Sequence, residues 1–137
     1  MHEPCLSLGV HGCASSPQLT DALIAEHTDL VLAGHDHNYA RTHQLAGTAP
    51  APRVVDGDTT MARGAGTVFA VIGNGGHAPR TVAARTAPYA VVSGTNTPGG
   101  IAFGFVKVVI TSGTLRYDEV RTSGGALTDG FSITTTG

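Results

Sequence analysis

Two of the chain's seven histidines flank an aspartate in the stretch LVLAGHDHNYART, Leu30 to Thr42. They are His35 and His37. Neutral imidazole is the commonest protein ligand for zinc and a good one for iron and manganese. The i, i+2 spacing lets both rings reach one small region if the backbone stays extended or turns tightly. Gly34 lets the chain turn there without a side chain in the way. An H-x-H pair alone is a weak signal, and a polar strand terminus is its bland reading. His2 and His11 lie upstream in HEPCLSLGVHG. Their bland readings are a disordered terminus and a solvated loop residue.

The elements that must position these rings can be read from pattern. Ser15-Ser16-Pro17 predicts a helix start, with a serine cap and proline at the first helical position. The helix runs to about Glu26 or His27, with Leu19, Ala22, Leu23 and Ile24 or Ala25 as its apolar stripe. Asp29 breaks that pattern. Leu30-Val31-Leu32-Ala33 then predicts a strand covered on both faces. His35 and His37 fall just beyond its C-terminal end, where open α/β sheets bind ligands. The helix returns the chain to the sheet, which sets the His2 segment beside the His35 strand end. Four histidines then converge on one rim.

Downstream, residues 46–66 read as a loop rich in Pro, Gly and Ala, with a turn at Asp56–Asp58. Thr67–Ile72 reads as a strand closed by GNGG at Gly73–Gly76. A second long loop runs from His77 to about Gly100. Strands follow at 101–111, 114–122 and 131–136, the first two joined as a hairpin at Ser112-Gly113. Leu115, Tyr117 and Glu119 share one face of the second. The fold class is α/β with an α+β tendency, strand-rich, with one clear helix. Loops this long point to binding loops or mobile segments.

A length of 137 residues is one domain's worth. Net charge is −2 and charged residues are 13%, so no basic field for nucleic acid is present. No apolar stretch approaches the ~20 residues of a membrane span. No basic-then-apolar signal segment begins the stretch. Cys5 and Cys13 read either as two buried thiols or as one small-loop disulfide.

The HEP segment followed by GHDHNYAR resembles the C-terminal half of the calcineurin-like metallophosphoesterase superfamily, in its purple acid phosphatase-like branch. TVFAVIGNGG resembles that family's strand and G-x-G-G turn, and LTDGFSITTT loosely resembles its acidic-Gly-aromatic ending. The resemblance implies part of a four-layer αββα sandwich and hydrolysis of phosphate esters at a dinuclear centre of Fe, Zn or Mn. His2 and His35 resemble ligands sharing one metal, and His37 resembles a ligand of the other. His11 resembles a histidine that contacts phosphate or protonates the leaving group. Such metals clamp a phosphoryl group and lower the pKa of bound water. Tyr39 and Arg41 match the motif's tail and read as structural. Ala40 stands where the family has glutamate. Asp36 matches a variable position and receives no role.

The family's upstream D-x-H, G-D-x-x-[DY] and G-N-H-[DE] segments have no match here, so no bridging carboxylate is supplied. The expectation is a single partial domain, inactive alone, that aggregates or assembles with a complementary N-terminal half. Exposed apolar strand edges would accompany it. Secretion or a periplasmic location is the family's habit. The alternative is a non-catalytic β-rich binding module with an incidental or single-metal histidine cluster. Leaving-group specificity would lie in the loops at 46–66 and 77–100.

Overall fold

The computed structural model describes residues 1–80, 87–93 and 102–135. Helix α1, Pro17–Ala25, starts where the Ser16-Pro17 pair predicts. Ser16 holds the cap position with extended backbone but makes no side-chain cap bond. Its hydroxyl donates instead to Gln18 Oε1 at 2.6 Å. The helix ends as the Glu26 and His27 N–H groups bond back to Ala22 and Ile24 carbonyls.

Ten strands follow among the described residues. They are β1 Leu30–Ala33, β2 Tyr39–Thr42, β3 Gln44–Thr48, β4 Ala51–Asp56, β5 Thr60–Ala62, β6 Val68–Ile72, β7 Ala90–Ser93, β8 Ala102–Ile110, β9 Thr114–Gly124 and β10 Gly130–Thr134. One four-stranded sheet has the order β1-β6-β2-β7 and another β5-β10-β9-β8. β3 and β4 form a separate two-stranded ribbon. β1 and β6 are parallel, with Leu30 opposite Val68 and Ala33 opposite Val71.

Alternation along β1 and β6 builds the layers. Val31 and Phe69 face one way, into a cluster with Leu6, Ile24 and Leu45 beneath α1. Leu30, Leu32, Val68 and Ala70 face the other way, against Tyr39, Met61, Leu115, Tyr117, Phe131 and Ile133. The first sheet is therefore covered on both faces, by a helix and by the second sheet. Continuous apolar runs are what such a buried strand requires. Helix, sheet and sheet are three successive layers of a mixed α/β sandwich.

The segment 46–66 is not a loop. It holds the β3–β4 ribbon and β5, with Ala46 opposite Arg53 and Thr48 opposite Ala51. Its Pro and Gly disguise strands that take their stability from cross-strand backbone bonds. Pro52 sits where an edge tolerates a missing N–H, and Gly47 takes φ +92°. The stretch expected as a second loop contains β7, paired antiparallel with β2. Residues 81–86 and 94–100 of that stretch lie outside the described residues, as do Ile101 and Thr136 of the expected strands.

Tyr39 and Arg41 hold structure, as their reading anticipated. Arg41 is buried and forms a two-pronged ion pair with Asp129, Nε to Oδ2 at 2.6 Å and Nη2 to Oδ1 at 2.7 Å. Tyr39 donates its hydroxyl to Asp129 Oδ2 at 2.7 Å and lies 2.9 Å from the Tyr117 hydroxyl. The Arg41 guanidinium also covers the Phe131 ring at 4.9 Å. The DGF of Asp129–Phe131 is thus the socket into which the NYAR strand plugs. Cys5 and Cys13 form a disulfide, which decides between the two readings left open for them. It closes the loop that carries His11.

Candidate functional site

Because β1 and β6 run parallel, their C-terminal ends open on the same rim. The GHDH segment leaves β1 there and the GNGGHAPR segment leaves β6. Backbone bonds tie the two together. Gly73 N–H donates to the Asn38 carbonyl at 2.9 Å and Arg80 N–H to the His37 carbonyl at 2.8 Å. Gly73 packs so close to the Asp36 backbone that a Cβ there would collide with it. Asn74 Nδ2 bonds the Ala102 carbonyl at 3.2 Å, which fastens the turn to β8.

Within the GHDH segment, His35 takes φ +60°. A non-glycine residue rarely adopts this left-handed conformation, and such strain clusters at functional sites. The N-terminal segment reaches the same place, with Gly34 N–H donating to the His2 carbonyl at 2.9 Å.

Of the four histidines expected on one rim, His2, His11 and His35 come together. His2 Nε2 lies 3.2 Å from His35 Nδ1, with the rings edge to face. The His11 ring centroid is 4.6 Å from that of His35. His37 sits on the far flank, its ring centroid 4.1 Å from that of His77. Burial, then the neighbouring His77, Arg80, His11 and His35, hold the His37 imidazole below its ordinary pKa.

Asp36, which received no role, is buried at 1% exposure. It accepts a hydrogen bond from the Ser7 hydroxyl, and that oxygen accepts from Gly9 N–H at 2.9 Å. Gly9 lies flat on the Asp36 carboxyl, where a side chain would not fit. Asp36 Oδ1 is buried without a hydrogen-bond partner among the described residues, 4.0 Å from His11 Nε2. A buried carboxylate is costly unless it is hydrogen-bonded, and the Ser7 hydroxyl supplies that bond. His77 and Arg80 were likewise missed. The signal was available: the rule that places ligands at the ends of parallel strands applies to β6 as well as to β1.

Arg80 Nη1 lies 2.8 Å from His11 Nε2. A guanidinium only donates, so His11 Nε2 is the acceptor of this bond.

Two nitrogens bound to one metal at tetrahedral angles stand about 3.3 Å apart, given bonds of about 2.0–2.1 Å. The 3.2 Å His2–His35 separation fits that bite. Among the described residues no group of three or more His, Cys, Asp or Glu side chains is assembled as a cage. The fit is therefore to two ligands of one ion, with His37 apart from them.

No family model matches the chain, and no curated protein matches it. Among solved structures, the fold is similar to a purple acid phosphatase from yellow lupin (Lupinus luteus) seeds. The TM-score is 0.68 at 22% identity, over 85% of this chain. The likeness covers 19% of the lupin chain, so this chain spans under a fifth of that protein's length. At this identity the likeness is one of fold.

Proposed function

We propose that this chain carries the histidine side of a metal-dependent phosphoric ester hydrolase site and has negligible turnover by itself. The observation that supports this reading best is the His2–His35 pair, whose 3.2 Å separation suits one shared metal ion. His37 is assigned to a second ion. The metals, when bound, supply Lewis-acid stabilisation of phosphoryl charge. The chain's own residues orient and neutralise. Gly34 and the left-handed His35 aim two rings at one point. Asp36 lies beneath the rim as a buried negative charge. His11, bonded by Arg80, faces the substrate side as a phosphate contact or proton carrier. Bridging carboxylates would come from a complementary segment.

Titration of the full chain with Zn2+, followed by calorimetry, tests the metal assignment. His2→Ala and His35→Ala are each expected to weaken binding at least about tenfold, in line with loss of one of few ligands. His27→Asn, away from the rim and tolerant of its left-handed backbone, is expected to change nothing. Binding indifferent to both rim substitutions would overturn the reading. Brisk hydrolysis of p-nitrophenyl phosphate by the metal-loaded chain would overturn its incompleteness. The lack of a three-ligand cage among the described residues supports a second reading, a single-metal binding module. A stoichiometry of one ion, unchanged by His37→Ala, would favour it.

A further inference from the structure

The turn after β6 brings two further cationic or cation-forming groups to the rim, and neither is needed to hold β6 in place. Arg80 and His77 are both exposed. The Arg80 backbone is anchored through its N–H to the His37 carbonyl, so its side chain starts from a defined point. Its guanidinium meets His11. Among the described residues no carboxylate pairs with it. Asp36, the acid under the rim, is already engaged by Ser7 and lies on the buried side. An arginine fixed at one N–H and unneutralised keeps most of its five donors for a planar, two-oxygen acceptor. His77 presents a second ring beside His37.

We infer that Arg80 and His77 form an anion-binding wall, which holds a phosphate group against the histidine rim and does so without bound metal. The inference rests on the phosphoester reading for its choice of anion, but not on the metal ligands. Arg80 takes two phosphate oxygens through its fork, and His77, whose Nδ1 faces the Ala78 carbonyl at 3.3 Å, donates to a third from Nε2 when its ring carries both protons. Two effects on His11 follow. Its Nε2 loses the Arg80 hydrogen bond when phosphate arrives, and it becomes free to meet the ester oxygen.

The test is titration of the metal-free full chain with inorganic phosphate at pH 7, read by NMR of the arginine Nε–H and histidine ring signals. Wild type is expected to show saturable shifts at Arg80, His77 and His11. Arg80→Ala is expected to weaken phosphate binding at least about tenfold, the cost of a lost charge-assisted pair. Arg80→Lys restores charge without the fork and is expected to fall between. His77→Ala is expected to weaken binding by a smaller factor. Because both side chains are exposed, the variants keep the wild-type amide spectrum elsewhere. Phosphate binding that is unaltered by Arg80→Ala, or shifts confined to other surfaces, would overturn the inference. Zn2+ titration of Arg80→Ala separates the two readings. Intact Zn2+ binding with intact phosphate binding sinks the wall alone, and phosphate binding without any Zn2+ binding sinks the metal assignment alone.

Discussion

At the scale of single residues, protonating His37 adds charge where charge is already dense. Burial and the neighbouring His77, Arg80, His11 and His35 disfavour its charged form, so the ring stays neutral at pH values where free imidazole begins to protonate. A depressed pKa contributes stability that is present above the unfolded value of about 6.5 and is lost as pH falls below it. His77→Ala removes the first of those charges. The His37 ring midpoint is expected to rise towards the free value, followed by NMR of its carbon-bound protons. A midpoint that stays put or falls would show the neighbours to be irrelevant. Of this rim, His2, His11, His35 and His37 were legible because histidine is rare and chemically pointed. Asp36 was not, since its burial depends on Ser7 and Gly9 arriving from elsewhere in the chain. Arg80 and His77 were hidden by a loop that looked featureless between its landmarks.

At the scale of elements, β2 bridges the rim and the second sheet. Its Arg41 is 3% exposed and its partner Asp129 is 5% exposed. Burial pulls the Arg41 pKa down, but the hydrogen bonds and charge of Asp129 more than offset it, so the guanidinium stays ionised. Burial also pushes the Tyr39 and Tyr117 phenols up, which keeps Tyr39 a donor. Asp129→Ala leaves a buried cation alone and is expected to cost about 3–5 kcal/mol, measured as a shift in urea midpoint. A cost below about 1 kcal/mol would mean that Arg41 finds another partner or water. The strands themselves were legible where apolar runs or alternation were clean, as in β1, β6, β8, β9 and β10. β3, β4 and β5 escaped because their Ala, Gly and Pro carry little hydrophobic signal. Pairing partners, not side chains, make them strands. The DGF ending was visible as a motif, yet its meaning lay in a partner strand some ninety positions away along the chain.

At the scale of the whole molecule, the second sheet ends at β8, an edge with Phe105, Val109 and Ile110 all exposed, the last at 69%. An apolar edge strand is a template for pairing with another chain. The full chain is expected to self-associate with rising concentration in sedimentation velocity. Phe105→Lys with Val109→Lys is expected to suppress this without loss of secondary structure. Unchanged association in the double variant would move the contact elsewhere. Among the described residues no helix is long and apolar enough to cross a membrane.

The Arg41–Asp129 clasp closes a loop of 88 residues, and closures of that length are slow relative to helices and hairpins. The histidine pair closes a shorter one of 33 residues, at the end of a strand that pairs with β6. The longer closure, far from the chemistry, is expected to set the folding speed. Refolding monitored at the tyrosines would run in step with the appearance of metal-binding capacity. Metal supplied early would meet histidines not yet brought together.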